Sequence, residues 1–317
     1  MKAVFLDYGT MGPGLDLASL EALIDELVVY DTTADSQIAE RIRGANLVFT
    51  NKIRFTAEVL EAAPELAYIG LTATGSDNID LEGAARAGVV VSNIRAYCTP
   101  SVNEHVFGVV LMLTHRLKTY DEFTRAGGWQ AADDFCPLRW PISELAGKTL
   151  GIVGFGDLGR GVASVAEAFG MNVIVSARPG SDVIPAGRVS LATLLADADV
   201  VSLHCPLNDA TRGLMGADEL RQMKRTAILV NTARGGLVDS QALADALARG
   251  DIAAAAIDVL PIEPPRDGDP LLDYAGDNLV ITPHIAWGTT ESRQNAIDQL
   301  ADNARAFLNG EPRNQLS

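Results

Sequence analysis

The chain has 317 residues, enough for two ordinary domains at ~100–200 residues each. Asp and Glu outnumber Lys and Arg by 41 to 25, and the resulting charge of −16 repels phosphate backbones and anionic lipid, so neither nucleic acid nor a membrane is expected as a partner. Three widely spaced cysteines, Cys98, Cys136 and Cys205, and no apolar run near the ~20 residues of a membrane span point to a soluble, cytoplasmic protein without a disulfide framework.

The N-terminus, Met1 to Asp7, reads as a first strand rather than a signal peptide. Further strands are expected at Leu27–Tyr30, Leu47–Thr50, Tyr68–Leu71 and Val89–Val91, with helical stretches such as Asp35–Arg43 and Asp80–Ala87 between them. Thr99-Pro100-Ser101 is a helix-start signal, and the periodic run Val102–Thr124 that follows predicts one long helix able to pass between domains. Gly127–Pro141 has no period and reads as an arm or extended loop. A second strand series follows: Leu150–Val153, Val173–Val175, Val200–Leu203, Ile228–Val230, Ala254–Ile257 and Leu279–Ile281. Glu291–Leu308 is an amphipathic helix placed to pack back on the first domain. Two strand–helix series imply an α/β protein with two doubly wound parallel-sheet domains. The boundaries fall at 1–100 plus 287–317 for one and 101–286 for the other.

The second series opens on Gly154-Phe155-Gly156-Asp157-Leu158-Gly159, directly after one strand and directly before a helix. In that setting the first glycine allows a tight turn, the second admits a pyrophosphate close to the backbone, and the third packs helix against strand. The free N–H groups of the helix end then face the phosphates. The reading is a dinucleotide cradle. A rival phosphate motif ending in Gly147-Lys148-Thr149 fails, because Ile142 stands where a P-loop needs glycine and the triplet precedes its strand. About 20 residues after the cradle an NAD site usually presents a carboxylate to the ribose. Here the sequence is Ser176-Ala177-Arg178-Pro179. Either Arg178 meets a 2′-phosphate, making NADP the slightly favoured cofactor over NAD, or it is a solvated loop arginine beside an NAD site lacking its usual acid.

Three later strand ends carry chemistry: Asn231-Thr232-Ala233-Arg234, Asp258 through Glu263-Pro264-Pro265, and Thr282-Pro283-His284. Reduction of a 2-keto acid needs such a set. A guanidinium binds the carboxylate and polarises the carbonyl. An imidazole gives a proton to the developing alkoxide, and a carboxylate holds that imidazole and favours its charged form. Taken singly, Arg234, Glu263 and His284 would each pass for a surface charge or turn residue; their order after a dinucleotide loop argues otherwise. His105, His115 and His204 are left to structural or supporting roles, and no pair of histidines has metal-ligand spacing.

Along nearly its whole length the chain resembles the D-2-hydroxyacid dehydrogenase family. The carriers are the cradle, Asn231 through Asp239, Asp258-Val259 with Glu263-Pro264, and Thr282-Pro283-His284-Ile285-Ala286. The resemblance implies a flavodoxin-like substrate domain built from both chain ends, an inserted Rossmann cofactor domain, catalysis in the cleft between them, and a homodimer. It makes Arg234, Glu263 and His284 the catalytic residues, with Arg234 and His284 also meeting the substrate. Thr74 and Gly75 offer backbone N–H groups to the substrate carboxylate, and Asp258 meets the nicotinamide carboxamide. The cofactor set comprises Gly154, Phe155, Gly156, Asp157, Leu158, Gly159, Ala177, Arg178, Pro206, Thr232, Ala233 and Asp258; no metal is implied. Within the family the look is that of glycerate dehydrogenases, or hydroxypyruvate reductases, carried by Phe5-Leu6-Asp7 and by Asp134 through Thr149. Trp140 either lines the substrate pocket or simply packs. Formate dehydrogenases use Gln where this chain has Glu263, and phosphoglycerate dehydrogenases often extend beyond the last helix, where this sequence ends at Ser317. A dinucleotide-sensing corepressor of the same fold is the alternative to an enzyme; a full catalytic set and the lack of tails favour the enzyme acting on hydroxypyruvate or glyoxylate.

Overall fold

Runs of mainly apolar residues, rich in Val and Ile, form eleven strands in the computed structural model, which describes residues 1–181 and 183–317. The chain divides into two compact units, Met1–Cys98 with Trp287–Ser317, and Thr99–Ala286. Each is a doubly wound α/β layer structure, with every strand pairing in its sheets parallel.

The first unit holds β1 (Lys2–Phe5), β2 (Glu26–Val29), β3 (Leu47–Thr50), β4 (Tyr68–Leu71) and β5 (Val90–Ser92), in the order β2-β1-β3-β4-β5. Its early helices are short: α1 (Ala18–Glu21), α2 (Ile38–Arg41), α3 (Ala57–Glu61) and α4 (Leu81–Arg86). The expected helix over Asp35–Arg43 shrinks to a 3₁₀ turn, Asp35–Gln37, followed by α2. One face of the sheet is sealed by Val4, Leu6, Val48, Phe55, Ile69 and Val91.

The second unit begins with α5 (Thr99–Thr114) and α6 (Leu117–Arg125), then β6 (Thr149–Val153), α7 (Asp157–Ala168), β7 (Asn172–Val175), α8 (Leu191–Asp197), β8 (Val200–Leu203), α9 (Ala217–Gln222), β9 (Ile228–Asn231), α10 (Ser240–Arg249), β10 (Ala254–Ile257) and β11 (Leu279–Ile281). The sheet order is β11-β10-β9-β8-β6-β7. The single helix expected over Val102–Thr124 is broken in two. Arg116 sits in the left-handed region at φ 51°, which ends one helix and starts the next.

The closing helix, α11 (Thr290–Leu308), belongs to the first unit. It starts on a side-chain cap, Thr289 Oγ1 accepting from Ser292 N, and lies on β4. Gly70 makes that approach possible, since a side chain there would run into Leu300, and Phe307 stacks on Tyr68 with ring centroids 4.8 Å apart. Among the described residues no helix is long and apolar enough to cross a membrane.

Candidate active site

In open parallel sheets ligands gather beyond the carboxyl ends of the strands, above all where the strand order reverses. In the second unit that reversal lies at β6, which has β7 on one side and β8 on the other. The glycine loop leaves β6 there. Gly154 adopts φ +95°, and a Cβ on it would lie 2.5 Å from the backbone of His204 and Cys205 at the end of β8. A Cβ on Gly159 would strike the Gly154 carbonyl, whereas one on Gly156 would meet nothing within 4 Å. The loop is thus tight against the protein and open above. Gly156 is also the N-cap of α7 and gives no side-chain bond to its first turn, so N–H groups there remain for an anion. Asp157 faces Arg160 at 2.5 Å, and the ring of Phe155 lies 4.6 Å from the Arg188 guanidinium.

Around the cradle, Ala177 N–H donates to Val189 O at 2.7 Å, Arg178 is exposed, and the Pro206 carbonyl accepts from Thr211 Oγ1 at 2.7 Å. Ser176 Oγ, His204 Nδ1 and Thr232 Oγ1 are buried with no hydrogen-bond partner among the described residues. Ser202 shares a 2.8 Å hydrogen bond with His204 Nε2, and burial pulls the His204 imidazole down to about 4. Such tight glycines, open N–H groups and orphaned hydroxyls fit a dinucleotide.

Along the sheet, β9, β10 and β11 end in a polar corner. Asn231 clamps the first turn: its Nδ2 donates to Arg234 O at 2.9 Å and its Oδ1 accepts from Ala233 N at 3.1 Å. Arg234 is half-buried, with Nη1 on the Ala233 carbonyl at 2.7 Å. A side chain on Gly235 would drive into the Leu260 backbone, so this turn lies directly against the next loop. In that loop Glu263 is used at both oxygens, Oε1 accepting from Leu260 N at 2.9 Å and Oε2 facing His284 Nδ1 at 2.7 Å. The sequence-derived pair of Glu263 and His284 therefore meets directly.

His284 occupies a left-handed backbone conformation at φ 56°, costly for a residue with a Cβ. Buried Asp258 holds it there. The Asp258 carboxylate accepts from Thr282 Oγ1 at 2.5 Å and from Ile285 N and Ala286 N at 2.9 Å each, and its carbonyl accepts from His284 N at 2.7 Å. His105, on α5, adds Nε2 at 3.2 Å from Thr282 Oγ1 and 3.9 Å from the carboxylate. Asp258 is thus the anchor of the histidine turn, a role that motif order does not reveal.

In the first unit, Thr74 and Gly75 follow β4. Thr74 Oγ1 donates to Ile94 O at 3.0 Å and the Thr74 carbonyl accepts from Asn93 Nδ2 at 2.7 Å. Neither backbone N–H of the pair donates to a described residue. At the strand-order reversal between β1 and β3, buried Asp7 accepts from Asn51 N at 2.9 Å and Lys52 N at 2.7 Å, pinning the loop after β3. Trp140 packs on Tyr120 and Phe123, at ring-centroid distances of 5.1 and 5.6 Å. Among the described residues no cluster of His, Cys, Asp or Glu is placed to hold a metal ion.

Residues 107–286 match the family described as D-isomer specific 2-hydroxyacid dehydrogenase, NAD binding domain. The chain belongs to this family. A glycerate dehydrogenase of Methylorubrum extorquens is 42% identical over 95% of this chain and 96% of its own length. A hydroxypyruvate reductase of Blautia hydrogenotrophica is 37% identical with 100% of both chains covered. Among solved structures, an acyclic imino acid reductase in complex with NADPH and D-Arg superposes with a TM-score of 0.87 at 29% identity over 100% of both chains. Family membership makes the protein an oxidoreductase acting on CH–OH groups and its second unit a nicotinamide dinucleotide binder. Motif reading quoted Asn231 and Thr282 within their motifs and left His105 to a supporting role, but gave none of the three a specific task. Their roles come from side-chain bonds to turns rather than from any spacing in the sequence.

Proposed function

We propose that this protein reduces a small 2-keto acid, hydroxypyruvate or glyoxylate, to the D-2-hydroxy acid, and accepts NADPH at least as well as NADH. The observation that carries the reading is the 2.7 Å pairing of His284 Nδ1 with Glu263 at the carboxyl ends of a dinucleotide-binding sheet. With Nδ1 held by the carboxylate, Nε2 is the ring nitrogen left to give a proton to the substrate oxygen. Arg234 binds the substrate carboxylate and polarises the carbonyl beside it, a local cation in a chain of net charge −16. The N–H groups of Thr74 and Gly75 bind the same carboxylate.

The cofactor, when bound, supplies a hydride. The Gly154–Gly159 loop and the first turn of α7 would hold its pyrophosphate, Thr232 and Ala233 would line its nicotinamide half, and the end of β7 its adenosine half. Asp258 keeps the histidine turn in place and would meet the nicotinamide carboxamide. The NADP reading is supported by Ala177 standing where a carboxylate would repel the extra phosphate, and by Arg178 beside it. Names of similar proteins support the substrate class: glycerate dehydrogenase and hydroxypyruvate reductase.

The protein works as a homodimer in the cytoplasm. Exposed apolar residues of the irregular stretch after α6, Trp129, Phe135, Leu138 and Ile142, support a second copy as their cover, and three free cysteines suit a reducing compartment. Light scattering reads the oligomeric state; a monomer would overturn that part. The central test is loss of NAD(P)H absorbance with a panel of 2-keto acids. Turnover of hydroxypyruvate or glyoxylate above pyruvate and bulkier acids is expected, and inactivity on every 2-keto acid would overturn the reading.

A further inference from the structure

The end of β7 carries a second guanidinium besides Arg178. The chain leaves β7 at Ser176 and Ala177, makes a turn in which Ser181 N–H donates to Arg178 O at 3.1 Å, and returns alongside the strand. Ser176 and Val189 form a parallel bridge, with Val189 N–H on Val175 O at 3.0 Å and Ala177 N–H on Val189 O at 2.7 Å. Arg188 therefore stands beside the strand end where a dinucleotide's adenosine ribose binds. Its guanidinium carbon lies 4.6 Å from the centroid of Phe155, the residue after the first glycine of the pyrophosphate loop. Through this contact Arg188 spans the two elements that flank the ribose.

We infer that Arg188, held on the Phe155 ring, is the principal ligand for the 2′-phosphate of NADP, with Arg178 as its outer partner. Two observations support the order of the two. Arg188 is half-buried whereas Arg178 is exposed. A guanidinium stacked on an aromatic face has already given up part of its rotational freedom, so less is lost when it takes a phosphate. The Ser176 hydroxyl, buried and without a described partner at the same strand end, adds a neutral donor for the phosphate or the ribose oxygen. Phe155 thus has a second task. Its backbone belongs to the pyrophosphate loop, and its ring aims the specificity residue.

This inference rests on the proposed acceptance of NADP, and binding can separate the two. The probes are 2′,5′-ADP and ADP, titrated calorimetrically into the full chain; their affinity ratio isolates the 2′-phosphate. Wild type should favour 2′,5′-ADP. Arg188→Ala should lower the ratio about 10- to 100-fold, the worth of a charge-assisted hydrogen-bonded pair. Arg178→Ala should lower it by a smaller factor, and Phe155→Leu by an intermediate one. ADP binding by each variant certifies a folded cradle, and Arg188→Gln, which keeps the stem against the ring, replaces the alanine variant if that one fails to fold. A wild-type ratio near unity sinks the NADP reading and this assignment with it. A wild-type preference that Arg178→Ala abolishes and Arg188→Ala leaves intact keeps the NADP reading and overturns the role of Arg188.

Discussion

The corner at the ends of β9, β10 and β11 and the cradle at the ends of β6, β7 and β8 share one sheet, yet they are built on opposite terms. In the corner, most polar groups are used within the protein, the buried Thr232 hydroxyl being an exception. The Asp258 carboxylate accepts from Thr282, Ile285 and Ala286, Glu263 uses both oxygens, and Asn231 bonds both sides of its turn. Around the cradle, buried Ser176 Oγ and His204 Nδ1 have no described partner, and the arginines stand at or near the surface. The difference follows from the tasks. A proton donor must be held to a fraction of an ångström, so its backbone is over-determined, even into a left-handed conformation. A cofactor site must exchange its ligand, so its donors are left for that ligand to satisfy.

Removing the proposed proton donor should give the largest effect. His284→Ala should lower kcat for keto-acid reduction by ~10²–10⁴, a barrier increase of roughly 3–5 kcal/mol, while dinucleotide binding persists. The split between corner and cradle breaks down if kcat stays near wild type, or if affinity for the cofactor collapses with it.

The next effect belongs to the cradle and is one of stability. His204 has its imidazole pulled down to about 4 by burial, from an ordinary value near 6.5. Above that ordinary value the ring is neutral in both folded and unfolded chains and contributes no pH dependence. Between it and the folded value the unfolded chain binds a proton that the folded chain refuses, so stability falls as pH falls, and the loss levels off below the folded value. The full loss is roughly 3 kcal/mol. Urea unfolding of wild type and His204→Asn isolates it, because the carboxylates titrate alike in both. The wild type's stability relative to the variant should drop between neutral pH and about pH 4. A constant gap would mean that the ring reaches solvent.

These two histidines show what a sequence reveals. His284 was legible because Thr-Pro-His follows a strand and completes a set with Arg234 and Glu263. All six strands of the second sheet were legible from short apolar runs, and so was the glycine loop between strand and helix. The device that holds His284 was not. Thr282 and His105 are 177 residues apart, and their meeting at Asp258 is a product of tertiary packing. The helix break at Arg116 was hidden by continuous apolar periodicity, with no Gly, Asn or Pro at the bend to betray it. Arg188 carried no signal either, since its place beside the glycine loop depends on how the segment after β7 returns.

A smaller effect tests whether Glu263 positions His284 or merely neighbours it. Glu263→Gln keeps an acceptor for Leu260 N–H and removes the charge opposite His284 Nδ1. Loss of a charge-assisted bond should lower kcat about 10- to 100-fold with the keto-acid KM little changed. A rise in KM at constant kcat would instead place Glu263 in substrate binding.

The smallest effect, and the one that most sharpens the contrast, is at Ala177. Its N–H is tied to Val189 O at 2.7 Å, so the backbone stays fixed and a substitution changes only what the side chain presents to the ribose. Ala177→Asp introduces a carboxylate that accepts from the ribose hydroxyls of NADH and repels the extra phosphate of NADPH. The position is half-buried, so water screens part of that repulsion. Opposed cations at Arg178 and Arg188 offset more of it. The net expectation is a shift of about tenfold toward NADH in kcat/KM, roughly 1.4 kcal/mol, with kcat at saturating cofactor nearly unchanged because the corner is untouched. Steady-state rates with both cofactors at saturating keto acid measure it. A matching fall in kcat would show that the cradle and the corner are coupled, and a strong wild-type preference for NADH would place the ribose contacts outside this turn.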